Sequence, residues 1–301
     1  MNGTLTPWKP LLALLMTTLW YPVHTAAASG LPAPRPTVHG HPGRVQAIAP
    51  GPEELHRAAR LFLAELTGDD GRTLAAGWRR LGFERTEAKD QAMARGCHLI
   101  QERTGRRTGR GTFLLCPMAG TRIALQIPHR YTDLDTGTLG QQMAREWPWV
   151  AVAWNSVPRN TPLDGGGTAD LTHMPASYFN ALIEALADSG LVMRIVQLHG
   201  FSQAKRRSPA ARGAHLILSA GTHAPPQTLY AQAECLRRNL TEAARLFPDE
   251  VDELGAVTNV QGQVARQRGL EFIHVEMSRP LRQRLIGDIQ ARTTLIRCLS
   301  P

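Results

Sequence analysis

Lysine is nearly absent. Among the 34 basic residues of the 301-residue chain only Lys9, Lys89 and Lys205 are lysines. The rest are arginine, and with 25 acidic residues the formal net charge is +9. GC-rich coding produces such a bias without selection for binding, and arginine is also the better fork for a carboxylate or phosphate. Both readings stay open. Aromatics are sparse at 6%, and no collagen repeat, coiled-coil array or wholesale disorder fits a chain that is 43% hydrophobic and 20% charged. Cysteine is scarce too. None of Cys97, Cys116, Cys235 and Cys298 forms C-x-x-C, which argues against a cysteine zinc site. There is no P-loop, no G-x-G-x-x-G after a strand, no G-x-S-x-G elbow and no H-E-x-x-H. Gly165, Gly166 and Gly167 have no helix-opening lysine and read as a loop. The Arg-rich turn Arg103–Arg110 lacks interleaved aromatics, so it reads as a solvated hairpin tip and no nucleic-acid partner is expected.

What is there begins with a targeting segment. Lys9, the apolar run from Pro10 to Val23 and the small residues up to Ala28 read as a secretory signal peptide over 1–28. The run is short for a membrane span, and none is expected to persist after cleavage. The Pro/Gly-rich stretch 29–50, with His39 and His41 in it, reads as a flexible leader. The expected location is periplasmic or secreted. In an oxidising compartment four cysteines suggest two disulfides. Cys97 and Cys116 flank the Arg-rich hairpin, and Cys235 with Cys298 would tie a late helix to the C-terminus. Three pairings are open in principle.

Helical spacing starts at Pro52, and a second short helix covers Thr73 to Leu81. From Cys97 the period changes. Buried-strand runs are predicted at His98–Gln101, Thr112–Leu115, Ile123–Ile127, Val150–Trp154, Met193–Leu198, Leu216–Ser219 and Phe272–Val275. Helices are predicted at Ser177–Ala187, Gln227–Leu240 and Pro280–Gln290. Alternation of this kind predicts, over 51–301, one α/β domain with a mixed, mostly parallel sheet covered by helices on both faces.

Three of the strand runs end on polar groups of one kind. Ile123–Ile127 runs into His129, with Asp133 and Asp135 following; Met193–Leu198 runs into His199; Phe272–Val275 runs into Glu276. Two histidines and a carboxylate are a common ligand set for hydrolytic zinc, and a separate glutamate serves as general base. Sites of this type gather in strand-end loops.

This order, between Arg122 and Leu285, resembles the zinc carboxypeptidase superfamily in its broad sense, including N-formylglutamate amidohydrolases and poly-γ-glutamate hydrolases. The carboxypeptidases proper use H-x-x-E, whereas here Asp133 lies four residues after His129 and Asp135 six. Asp133 is preferred and Asp135 remains an alternative. The resemblance implies Zn²⁺ held by His129, Asp133 and His199, catalysis by Glu276, and a small anionic or peptide-like substrate whose carboxylate is bound by Arg159 or Arg279. It implies an exported hydrolase of an amide bond next to a carboxylate. A non-catalytic envelope protein of the same fold that binds an anionic ligand is the alternative. Asp170 and His173 stand evenly between a role beside the ligand histidine and a structural one, while Thr172 reads as a helix cap. Arg282 is a candidate for an anionic substrate or a developing oxyanion. His274, two residues before Glu276, shares its strand face.

Overall fold

The computed structural model describes residues 47–88, 96–103 and 108–300. The segment expected to be a signal peptide, most of the expected leader with His39 and His41, and the middle of the Arg-rich turn lie outside the described residues. Ala47, expected at the end of the leader, is already buried, and its N–H donates to the Pro162 carbonyl at 3.0 Å.

Pro52 at the first position and Glu53 and Glu54 in the first turn open α1 (Pro52–Thr67), and Gly68 closes it in the left-handed region at φ 90°. Asp70 caps α2 (Gly71–Arg80). The sheet then builds from β1 (Phe83–Glu87), β2 (His98–Glu102), β3 (Thr112–Leu115), β4 (Ile123–Ile127), β5 (Ala151–Trp154), β6 (Arg194–Phe201), β7 (Leu216–Ser219), β8 (Ala244–Leu246) and β9 (Glu271–Ser278). Its nine strands run in the order β1-β2-β3-β5-β4-β6-β9-β7-β8. The sheet is mixed, as expected. Its central strands β5, β4, β6 and β9 are parallel, β7 and β8 pair in parallel beyond them, and β1 to β3 add an antiparallel flank.

Helices cover the sheet in two groups. One packs α1, α2, α4 (Tyr178–Ser189) and α7 (Val260–Gln267) together. The other joins α3 (Thr136–Glu146), α6 (Gln227–Asn239), α8 (Arg279–Gly287) and α9 (Ile289–Leu299). A short α5 (Pro209–Gly213) follows β6. Under α1 and α4 an aromatic cluster fills the core: Phe62 lies 4.8 Å from Trp78 and 4.9 Å from Phe113, ring centre to ring centre.

The two disulfides are Cys97–Cys116 and Cys235–Cys298. The first closes the β2–β3 pair next to His98↔Leu115, and the second ties α6 to α9. Among the described residues no helix is long and apolar enough to cross a membrane.

Strand order explains where a site can form. From β4 the chain goes through α3 to β5 on one side, then returns through α4 to β6 on the other. The carboxyl ends of β4 and β6 therefore diverge at a topological switch point, where such sheets open a crevice.

Candidate active site

His129 follows β4 by two residues. The Asp133 N–H donates back to the His129 carbonyl at 2.9 Å, so the chain makes one helical turn there. Residues four apart in such a turn lie on one face, and this is why a four-residue spacing works: Asp133 Oδ2 lies 3.6 Å from His129 Nδ1. Thr136 donates its N–H and hydroxyl to the Asp133 carbonyl and locks the turn. Asp135 sits at φ 75° before α3 with Oδ2 buried and unpaired, outside this cluster.

His199 belongs to β6, which runs three residues further than the apolar pattern predicts. Its Nδ1 is 3.2 Å from Asp133 Oδ2, and the Gly200 N–H donates to the same oxygen at 3.1 Å. Register sets His199 beside Glu276 of β9, Gln197 beside His274, and Gln126 beside Gln197. A polar stripe thus crosses one face of three buried strands. Gln197 donates to Gln126 Oε1 at 3.0 Å, and its own Oε1 receives the Asn259 amide at 2.6 Å and faces His199 Nε2 at 3.0 Å. Asn259 in turn caps α7.

The Nε2 atoms of both imidazoles are thus engaged. His129 Nε2 meets Asp170 Oδ1 at 2.8 Å, and His199 Nε2 meets Gln197. A proton on each Nε2 leaves two Nδ1 lone pairs and a carboxylate oxygen facing one another. Those three atoms repel unless a proton or cation lies among them, and the ligand atoms of His129, Asp133 and His199 fall within 4.8 Å of one another. The donor set therefore fits a divalent cation, with its rings oriented as metal-bound histidines usually are.

Electrostatics agree. Burial pushes the Asp133 carboxyl up, but its bonds to His129 and His199 outweigh that and hold it well below the usual carboxylate range. Asp170 is also held low, as His129, Thr172 and Arg159 overcome its burial. Burial depresses His199 and, more strongly, His274. Glu276 is 7% exposed, its Oε2 has no partner, and burial first and Asp133 second push its pKa up to about 8. A cation in the adjacent cluster would favour its ionised form.

The structure places the residues whose roles the sequence left open. Asp170 orients His129, and Thr172 donates to Asp170 at 2.8 Å instead of capping α4, where Ser177 does so. That corrects the cap reading: the threonine sits in a 3-10 turn before the loop, too early to reach the helix. His173 is exposed and lies 3.2 Å from Asp170. Arg159 pairs with Asp170, and its NH1 is 3.4 Å from His129 Nδ1, so its guanidinium borders the cluster. Arg279 is exposed at the start of α8. Arg282 is buried instead of facing a ligand. Its guanidinium donates to the carbonyls of Leu134, at 2.7 Å, and Met277, binding the Asp133 loop to β9. His274 Nε2 lies 3.8 Å from Glu276 Oε1. Gln126, Gln197 and Asn259 were not legible, since a glutamine inside an apolar run carries no sequence signal of a ligand partner.

No family model matches this sequence, and no curated protein matches it. Among solved structures the chain is similar to a gene product of Agrobacterium tumefaciens, at 11% identity and a TM-score of 0.43, over 60% of this chain and 91% of that one. It is similar to a metallo-carboxypeptidase from Burkholderia cenocepacia at 10% identity and a TM-score of 0.38, over 83% of this chain and 69% of that one. A third likeness is to an aspartoacylase family protein from Mesorhizobium loti, at 15% identity and a TM-score of 0.37, over 63% of this chain and 62% of that one.

Proposed function

We propose that the protein is an exported, metal-dependent hydrolase that cleaves an amide bond next to a carboxylate, in a peptide, an N-acyl amino acid or a γ-glutamyl compound. The observation that carries this is the convergence of His129 Nδ1, His199 Nδ1 and Asp133 Oδ2 beside the buried carboxyl of Glu276. His129, Asp133 and His199 would hold the ion, zinc by donor type. When bound, zinc lowers the pKa of a water and polarises a carbonyl oxygen.

The chain's own groups do the rest. The Glu276 carboxylate takes a proton from the attacking water and returns it to the leaving amine nitrogen. Asp170 and Gln197 hold the two imidazole rings in one tautomer and one orientation. Arg159, at the edge of the cluster, and Arg279, three residues after Glu276, are the forks for the substrate carboxylate. The two disulfides and the apolar N-terminal segment support export.

Elemental analysis of the purified protein beside two variants tests the reading. About one equivalent of zinc is expected in the wild type. It is lost in His199→Ala and kept in Glu276→Gln, and the latter loses amide hydrolysis. A protein that neither carries nor takes up metal overturns the hydrolase reading and favours the alternative of a binding protein of the same fold.

A further inference from the structure

A second feature lies beside Glu276 on the other side from the His129 loop. In the β7–β9 register Ile217 stands next to Glu276. Ile217 packs with Phe201, Phe247 and Leu254 in a small apolar cluster of its own. Phe247 and Leu254, with Val257, are also the apolar part of a cavity of about 490 Å³. The polar lining comprises Lys205, Arg206 and Arg207 from the turn after β6, the acids Asp252 and Glu253, and His223, which lies 5.1 Å from Phe247, ring centre to ring centre. Phe247 and Leu254 thus belong both to the cavity wall and to the apolar cluster that contains Ile217, the neighbour of Glu276 in the strand register.

The basic turn is built and not loose. Glu253 is buried, and its carboxylate accepts the N–H of Arg207 at 3.0 Å, the N–H of Ser208 at 2.8 Å, and the Ser208 hydroxyl at 3.1 Å. Arg206 NH1 reaches the same carboxylate at 3.4 Å. These bonds hold the Glu253 carboxyl below its usual range and spend its acceptor capacity. Lys205 and Arg207 stay exposed, Arg207 87% so in its side chain, although its Nε lies 3.9 Å from Glu253 Oε2. Asp252 is the other acid of the lining, so the wall keeps a surplus of positive charge. Glu253 sits on a loop that holds Leu254 at φ 63° and Ala256 at φ 53°, conformations that cost free energy in residues with a Cβ. Such strain is retained where the surroundings over-determine a loop, and here the bonds from Arg207 and Ser208 to Glu253 are among those that hold it.

We infer that this cavity is a second anionic subsite: it takes a carboxylate of the substrate other than the one at the scissile amide. The substrate class is then an acidic oligopeptide or a comparable chain with at least two carboxylates. The inference rests on the hydrolase reading for calling the ligand a substrate, while the subsite itself is testable by binding alone. Lys205 and Arg207 give the long-stemmed, exposed cations that capture a flexible anionic arm.

The test is fluorescence anisotropy with labelled tetraglutamate and labelled tetraglutamine on the full-length Glu276→Gln protein, which keeps bound probe intact. Tetraglutamate is expected to bind more tightly, and Lys205→Ala/Arg207→Ala to weaken it about fivefold or more, the size of one to two partly exposed ion pairs. The tetraglutamine signal stays unchanged. Both residues are exposed, so the thermal melt of the variant should match its parent. Arg79→Ala/Arg80→Ala, exposed on α2 and equal in charge removed, is the control for a merely basic surface. Equal affinity for the two peptides, or equal weakening by the control pair, overturns the subsite. Zinc content and turnover are read separately, so a failed subsite leaves the hydrolase reading standing, and a metal-free protein that still discriminates the peptides leaves the subsite standing.

Discussion

Each of the site's central groups depends on a neighbour that sequence does not advertise. Gly200 has space for no side chain: a Cβ there would lie 2.4 Å from the Arg282 guanidinium. Gly200→Ala should displace a buried arginine that binds the Asp133 loop to β9, and lower stability by about 1–3 kcal/mol in chemical denaturation. Asp170 fixes the His129 ring, so Asp170→Asn is expected to weaken zinc about 10- to 100-fold in competition titrations with a chelating dye, without unfolding the protein. Glu276 makes a pH prediction with a definite sign. Its folded pKa of about 8 stands above the ordinary 4.5. Between those values the folded state holds a proton that the unfolded chain has released. Stability from this group is therefore complete below about 4.5 and declines as pH rises towards about 8. In metal-free protein the melting temperature of Glu276→Gln should gain on the wild type across that window, and a constant difference would contradict the buried, neutral carboxyl.

At the scale of elements the strands were the most legible part. β3, β4 and β7 match the predicted runs residue for residue, because strands covered on both faces are filled mainly by apolar side chains. β6 and β9 extend further than their apolar runs, since each continues through a polar residue of the site, His199 in β6 and Glu276 in β9. β1 and β8 were missed: β1 reads Phe-Glu-Arg-Thr-Glu on an edge and β8 is three residues long. Helix α3 was missed because it begins Thr-Gly-Thr, a poor helix start that the locked Asp133 turn imposes from outside. The late helix predicted at Pro280–Gln290 is α8, and α9 follows it after the Asp288 cap. The Cys235–Cys298 bridge joins α6 to α9 across 63 residues. Replacing both cysteines by alanine should cost about 2–4 kcal/mol, read from urea midpoints at constant slope.

For the whole molecule, the candidate site is a crossing point of the three strands β4, β6 and β9 and of the helices behind them. An ion there binds only the folded chain, so its affinity adds to folding stability. Zinc at about 100 times its dissociation constant should add about 2.7 kcal/mol, seen as a rise in melting temperature that a chelator reverses. His199→Ala should melt at one temperature with or without zinc. A wild type whose melt ignores zinc would remove the link between site and fold.

Sequence alone determined the α/β class, the runs that become the buried strands, the two cysteine pairs as one of three options, and the order His129, His199, Glu276 at strand ends. Those follow from local chemistry: burial demands apolar runs, and polar residues at their ends stand out against them. Tertiary structure alone decided that Asp133 and not Asp135 meets both histidines, because one helical turn pinned by Thr136 and Gly200 aims it. It also decided that Asp170 and Gln197 orient the rings, that Arg282 is a buried tie, and that Glu253 holds a basic turn 45 residues away. Such pairings depend on register between strands and on loops folding back over the sheet. A distance of 3 Å in space leaves no trace in the spacing of residues along the chain.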